Sequence, residues 1–125
     1  MSDETKASSY KDLLVWQKGI KLVKLIYQIT QTPPAEEKFG LVSQMRRAAV
    51  SVPSNIAEGQ ARYSTGEFVQ FLSLAEGSVA ELETQLIIAA ELGKYSLDQD
   101  REAFELISEL RKMLDALRRK LLTRQ

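Results

Sequence analysis

Near the C-terminal end, Ala103, Ile107, Leu110, Leu114, Leu117 and Leu121 recur at alternating steps of four and three residues. Such steps keep apolar side chains on one narrow stripe of a helix, the seam along which helices pack side by side in a bundle. A strand would divide the series between its two faces. The reading extends upstream, where Phe68, Leu72, Ala75, Val79, Leu82, Leu86 and Ala90 share one face of a second long segment. Leu41, Met45, Ala48, Val52 and Ile56 do the same in a third. Ser64 with Glu67, and again Ser96 with Gln99, have capping-box spacing, and Gly93 stands where a C′ glycine ends a helix. Pro33 and Pro34 and the stretch 59–66 supply the other breaks, with Glu36 and Glu37 favouring the start of a helix by their charge. Four helices over about 10–31, 36–59, 65–92 and 97–123 follow a disordered lead at 1–9. The loops are short, so consecutive helices are antiparallel neighbours. The expected fold is all-α, an up-down-up-down antiparallel four-helix bundle in one domain.

The first helix is apolar on two sides. Leu13, Trp16, Ile20, Val23 and Tyr27 form one stripe, and Leu14, Val15, Leu22, Leu25, Ile26 and Ile29 a second on roughly the opposite side. In a four-helix bundle one of these sides would face water. The second stripe is therefore expected to be an oligomer interface.

Across 125 residues, seventeen basic and seventeen acidic side chains cancel, but not locally. Residues 1–62 carry nine basic and six acidic groups, 64–109 two basic and ten acidic, and 110–125 six basic and one acidic. The middle is acidic and the ends basic. The absence of cysteine excludes disulfides and thiol catalysis, and the absence of histidine removes the commonest general base and the Glu-x-x-His ligand pairs of di-iron bundles. No Walker loop, dinucleotide fingerprint or nucleophile–base pair occurs, so neither catalysis, a cofactor nor a metal is expected. Glu76 and Glu83 are spaced for a carboxylate site, although a salt-bridged flank is the expected reading. The start of the chain lacks the apolar core of a signal peptide, and no apolar run reaches membrane-spanning length. The expected setting is cytoplasmic, with no membrane partner.

The run SVPSNIAEG at 51–59 places a proline inside a helix, at a cost of about 3 kcal/mol. Pro53 falls on the side away from the core stripe and should bend the helix. Arg47, Ser51, Asn55 and Glu58 form a polar strip that either satisfies itself between helices or meets a ligand or partner. Gly77, halfway along the third helix, is expected to make room for another backbone. Arg111, Lys112, Arg118, Arg119 and Lys120 on the last helix, with Lys18, Lys21 and Lys24 on the first and Arg46 on the second, are the candidate phosphate-contacting cations. Helix-end capping is their competing role.

Four stretches carry a resemblance: LVWQK at 14–18, QMRRAAVSVPSNIAEG at 44–59, FLSLAEGS at 71–78 and ELETQL at 81–86. Together they resemble the four-helix bundle proteins encoded within intervening sequences of bacterial 23S ribosomal RNA genes. The match runs from about Leu13 to Gly93, and beyond it only the helical pattern is shared. The resemblance implies a small helical protomer assembled as a ring-shaped homopentamer, with no enzymatic activity. It also implies nucleic-acid contact, inferred for the family from its genomic setting. The accessory variability proteins of diversity-generating retroelements, thought to work with a reverse transcriptase and RNA, are similar in shape. The family's recurrent positions correspond here to Arg46, Arg47, Ser51, Asn55, Glu58, Gly59, Glu76, Gly77 and Ser78. The expectation is a noncatalytic homo-oligomer that binds RNA, DNA or a nucleoprotein through basic patches, with a protein–protein scaffold as the alternative.

Overall fold

The computed structural model describes residues 9–31, 40–95 and 97–123, leaving out the side chains of Leu97 and Gln99. The Pro33 and Pro34 break, Glu36, Glu37 and the Ser96 capping box lie outside the described residues. Four helices are present: α1 (Leu14–Ile29), α2 (Leu41–Gln60), α3 (Thr65–Glu91) and α4 (Leu97–Leu122). A 3-10 turn at Tyr10–Asp12, capped by the Ser9 hydroxyl, precedes α1. Leu13 is extended between the turn and the helix, so the first helix begins four residues later than its apolar pattern suggests. Ser64 caps α3 as the sequence indicates, accepting from the Glu67 amide at 3.1 Å and donating to the Glu67 carboxylate at 3.0 Å. Gly93 adopts φ 67°, the left-handed conformation of a C′ residue.

Each helix packs on its sequence neighbours, and α1 closes the bundle against α4. The antiparallel register is visible in side-chain pairs. Arg118 meets Glu76 and Arg111 meets Glu83, seven residues apart on both helices and running in opposite directions. The α4 stripe is wholly buried, from Ala103 to Leu121. It packs with Leu72, Leu82 and Leu86 of α3, Met45 and Ile56 of α2, and Leu22 and Ile26 of α1.

The two stripes of α1 exchange the roles expected of them, except that Leu13 of the first stripe is fully buried in the core. Val15, Leu22, Leu25, Ile26 and Ile29, expected at a subunit interface, are the contribution of α1 to the bundle core. Only Leu14 of that set is outside, at 53% exposure. Trp16, Ile20 and Val23 are half-buried along the α1–α2 boundary, and Tyr27 is exposed. Gly19 explains the choice. A Cβ there would stand 3.3 Å from the Pro53 Cβ, so the bare glycine lets α2 approach α1 on the side of Val15 and Ile26. Pro53 is accordingly buried against α1 instead of lying on an unpacked side. The buried arc of α2 is wider than its central stripe because the helix has a neighbour on each flank.

Candidate interaction surfaces

The cations of α4 face the acidic flank of α3. Arg118 Nε donates to Glu76 at 2.6 Å and its NH2 group to Asp115 at 2.8 Å, while Arg119 pairs with the other Asp115 oxygen at 3.0 Å. Arg111 donates to Glu83 at 2.8 Å. The hydrogen bond and charge of Glu76, with a lesser contribution from Asp115, raise the Arg118 pKa and hold its guanidinium charged. Glu76 and Glu83 are thus a salt-bridged flank. The groove beside them, about 470 Å³ and lined by Ala80, Ser108 and Lys112 as well, is mixed in charge. A phosphate entering it would meet three carboxylates, of Glu76, Glu83 and Asp115, against two cations, of Arg111 and Lys112. Among the described residues, no three Asp, Glu, His or Cys side chains are grouped to hold a metal ion. No described helix is long and apolar enough to cross a membrane.

The α1 cations divide. Lys18 pairs with Glu109 at 3.4 Å, and Lys21 lines a hollow with Glu102, Glu105 and Glu109. Lys24 is exposed, as are Lys112 and Lys120 of α4. Arg46 has a structural task that its sequence position does not reveal. Its Nε donates to the Thr30 hydroxyl at 2.9 Å and its NH2 group to the Thr30 carbonyl at 3.2 Å, while the guanidinium lies 4.4 Å from the Tyr27 ring centroid. Thr30 is the C-cap of α1, so Arg46 supplies donors and positive charge where helix carbonyls lack partners. Arg47, one residue on, is exposed and makes no ion pair among the described residues. It lines a concavity of about 440 Å³ with Tyr27, Val42, Ser43, Arg46 and Val50.

The polar strip of α2 separates into three parts. The hydroxyls of Ser51 and Ser78 share a hydrogen bond of 2.6 Å across the α2–α3 contact. Asn55 Nδ2 donates to the Ser51 carbonyl at 2.9 Å and its hydroxyl at 3.0 Å, completing a network that satisfies itself. Glu58 pairs with Arg62 at 3.0 Å on the surface, and Arg62 covers the Phe71 ring. Arg47 stands apart. The neighbouring Gly59 is a packing glycine, since a Cβ there would come within 2.5 Å of the Phe71 Cβ.

Gly77 is the opposite case and corrects the expectation of a close backbone. It is exposed, and a Cβ added to it would meet nothing within 4 Å. A mid-helix glycine costs about 1 kcal/mol relative to alanine, and no contact among the described residues offsets it. On the outer face of α3, Leu74, one turn before it, and Ile87 and Ile88, about three turns after it, are 44–56% exposed. This face went unrecognised in the sequence, although α3 is apolar on several sides and contains no lysine or arginine. A second apolar surface lies between α1 and α2, a groove of about 310 Å³ lined by Trp16, Ile20, Val23, Val50, Pro53 and Ala57. Asp100, in the first turn of α4, also escaped the sequence reading. It is only 3% exposed, its carboxylate oxygens have no hydrogen-bond partner among the described residues, and burial raises its pKa above the ordinary 3.8.

A family model described as 23S rRNA-intervening sequence protein matches residues 11–116, reaching well into α4 and past the Gly93 limit of the recognisable motifs. A solved structure from Bacteroides thetaiotaomicron VPI-5482, described as a protein with unknown function from the S23 ribosomal protein family, has the same fold. The two share 20% identity over 83% of this chain and 97% of that one, with a TM-score of 0.71. No curated protein matches the chain.

Proposed function

Because the chain belongs to the 23S rRNA-intervening sequence protein family, we propose that it is a noncatalytic, self-assembling cytoplasmic bundle that acts by binding. The assembly proposed is a homopentamer, as the family resemblance implies. The observation that carries the reading is the presence of two exposed apolar surfaces, the α1–α2 groove and the outer face of α3, on a protomer whose core is already complete. An open apolar groove and exposed leucine and isoleucine side chains of this kind mark an interaction site.

Nucleic-acid contact is the narrower part of the proposal. Arg111, Arg118, Arg119 and Lys18 are neutralised by carboxylates, and Arg46 is committed to the end of α1. Lys112 and Lys120, exposed on α4, are better placed to reach a phosphate. Repeated around a ring, they would supply a positive field that one neutral chain lacks. The genomic setting of the family, within 23S rRNA genes, puts RNA first among the polymers to test. Light scattering at micromolar concentration with an RNA mobility shift at low and high salt tests both parts. A 14.1 kDa particle removes the assembly. No shift at low salt removes the nucleic acid.

The second reading, a protein-interaction scaffold without nucleic acid, is favoured by the cancelled charge along α3 and α4. A pull-down giving one stoichiometric protein and no salt-sensitive RNA would select it.

A further inference from the structure

The two apolar surfaces differ in shape and in charge. The α1–α2 surface is concave, lined by Ile20, Val23 and Pro53, with exposed Lys24 next to Val23 in α1 and exposed Arg47 in the adjoining concavity that shares Val50. The α3 surface is the convex side of a 27-residue helix, with Leu74 one turn before Gly77, Ile87 and Ile88 about three turns after it, and exposed Glu81 and Glu91 along it. No cation interrupts the acidic character of α3. We infer that copies of this chain associate head to tail, the outer face of α3 in one copy seating in the α1–α2 groove of the next. This rests on the self-assembly proposed above and adds which surfaces meet.

Charge selects this pairing over its alternatives. Two α3 faces brought together would oppose Glu81 and Glu91 to their own copies, and two grooves would oppose Lys24 and Arg47 to theirs. Like charges across an interface repel, whereas the unlike pairing is attractive in both senses. Gly77 adds an independent reason. Nothing among the described residues of its own protomer fills the space where a Cβ would point, so an approaching groove wall can come within contact distance of the α3 backbone at that place. A contact between two different surfaces leaves one of each unused at the ends of a chain of copies. It therefore propagates without a two-fold axis and ends in a ring when the rotation per copy closes, as the proposed homopentamer requires.

The test uses full-length chains broken on one side each. Gly77→Leu with Ile88→Glu spoils the α3 face, and Arg47→Glu with Val50→Glu spoils the groove; all four positions are exposed. Circular dichroism and urea midpoints establish that both variants fold. Each should associate at least about tenfold more weakly than wild type in sedimentation velocity, as expected when central contacts of an interface are lost. Mixed in equal amounts, they should form a one-to-one dimer and nothing larger, because a single intact groove and a single intact α3 face remain. Should a variant fail to fold, charge exchange replaces it. Glu81→Arg with Glu91→Arg weakens association, and adding Lys24→Glu with Arg47→Glu in the same chain restores it. A wild type that stays monomeric overturns the assembly reading and this inference together. A wild type that assembles while both folded variants assemble equally well, or whose broken variants do not dimerise on mixing, overturns the pairing alone.

Discussion

Gly59 and Gly77 are two helical glycines for which the structure demands opposite outcomes on substitution by alanine. In a helix interior the exchange gains up to about 1 kcal/mol from the restricted backbone of the unfolded chain. At Gly77 nothing stands within 4 Å of the new methyl group, so the monomer should gain about 1 kcal/mol. At Gly59 the methyl would lie 2.5 Å from the Phe71 Cβ and 3.1 Å from Phe68 Cδ1. A Cβ is fixed to its backbone and cannot swing aside, so α2 and α3 must separate. Overpacking of this kind costs about 1–3 kcal/mol and exceeds the gain, the more so because Gly59 is near the end of α2. A net loss of about 1–2 kcal/mol follows, and the two variants should differ by roughly 2–3 kcal/mol. Urea titration monitored by circular dichroism, at a concentration where the protein is monomeric, measures this through the midpoint at constant slope. Equal shifts in the two variants, or a stabilised Gly59→Ala, would refute the close α2–α3 approach.

Arg46→Ala should destabilise by about 1–2 kcal/mol through loss of two hydrogen bonds to Thr30 and the Tyr27 contact, with Arg46→Lys recovering only part in the same urea assay. Asp100→Asn should stabilise the protein at pH 7. The Asp100 pKa is raised by burial, so its favourable contribution is full below pH 3.8 and lost as pH rises through the higher folded-state value. The advantage of asparagine should shrink as urea midpoints are measured at successively lower pH, and an advantage independent of pH would contradict the buried carboxylate. In RNA mobility shifts at low salt, Lys112→Gln combined with Lys120→Gln should weaken binding several-fold, on the order of one lost phosphate contact each, while Arg111→Gln leaves it unchanged. The reverse ranking would move the site to the salt-bridged Arg111.

What the sequence makes legible is the set of helix faces that periodicity alone defines. The α4 stripe, the α3 core stripe and the Ser64 cap are where their spacing puts them, because each depends only on residues within one helix. The choice between the two stripes of α1 is a different problem, since both are equally apolar. It is decided by Gly19 meeting Pro53, a contact between residues 34 apart in sequence. The phosphate patch suffers from the same blindness. Arg111 and Arg118 have no acidic neighbour on their own helix that cancels them fully, and their partners Glu83 and Glu76 appear only when α3 and α4 are set in register. Arg46 likewise resembles a surface cation until the end of α1 is brought beside it. The Ser51 and Asn55 network was legible as a strip but not in its partner, Ser78. Gly77 was read by the rule that a helical glycine admits a neighbour, and within one protomer that neighbour is absent.

The central claim is that this protomer is a unit of a larger assembly, and sedimentation velocity of the unmodified chain from sub-micromolar to tens of micromolar concentration tests it most directly. The account predicts that a 14.1 kDa species gives way, as concentration rises, to one closed assembly of about 70 kDa for five copies, without a ladder of longer polymers. A single 14.1 kDa species across the whole range would contradict it.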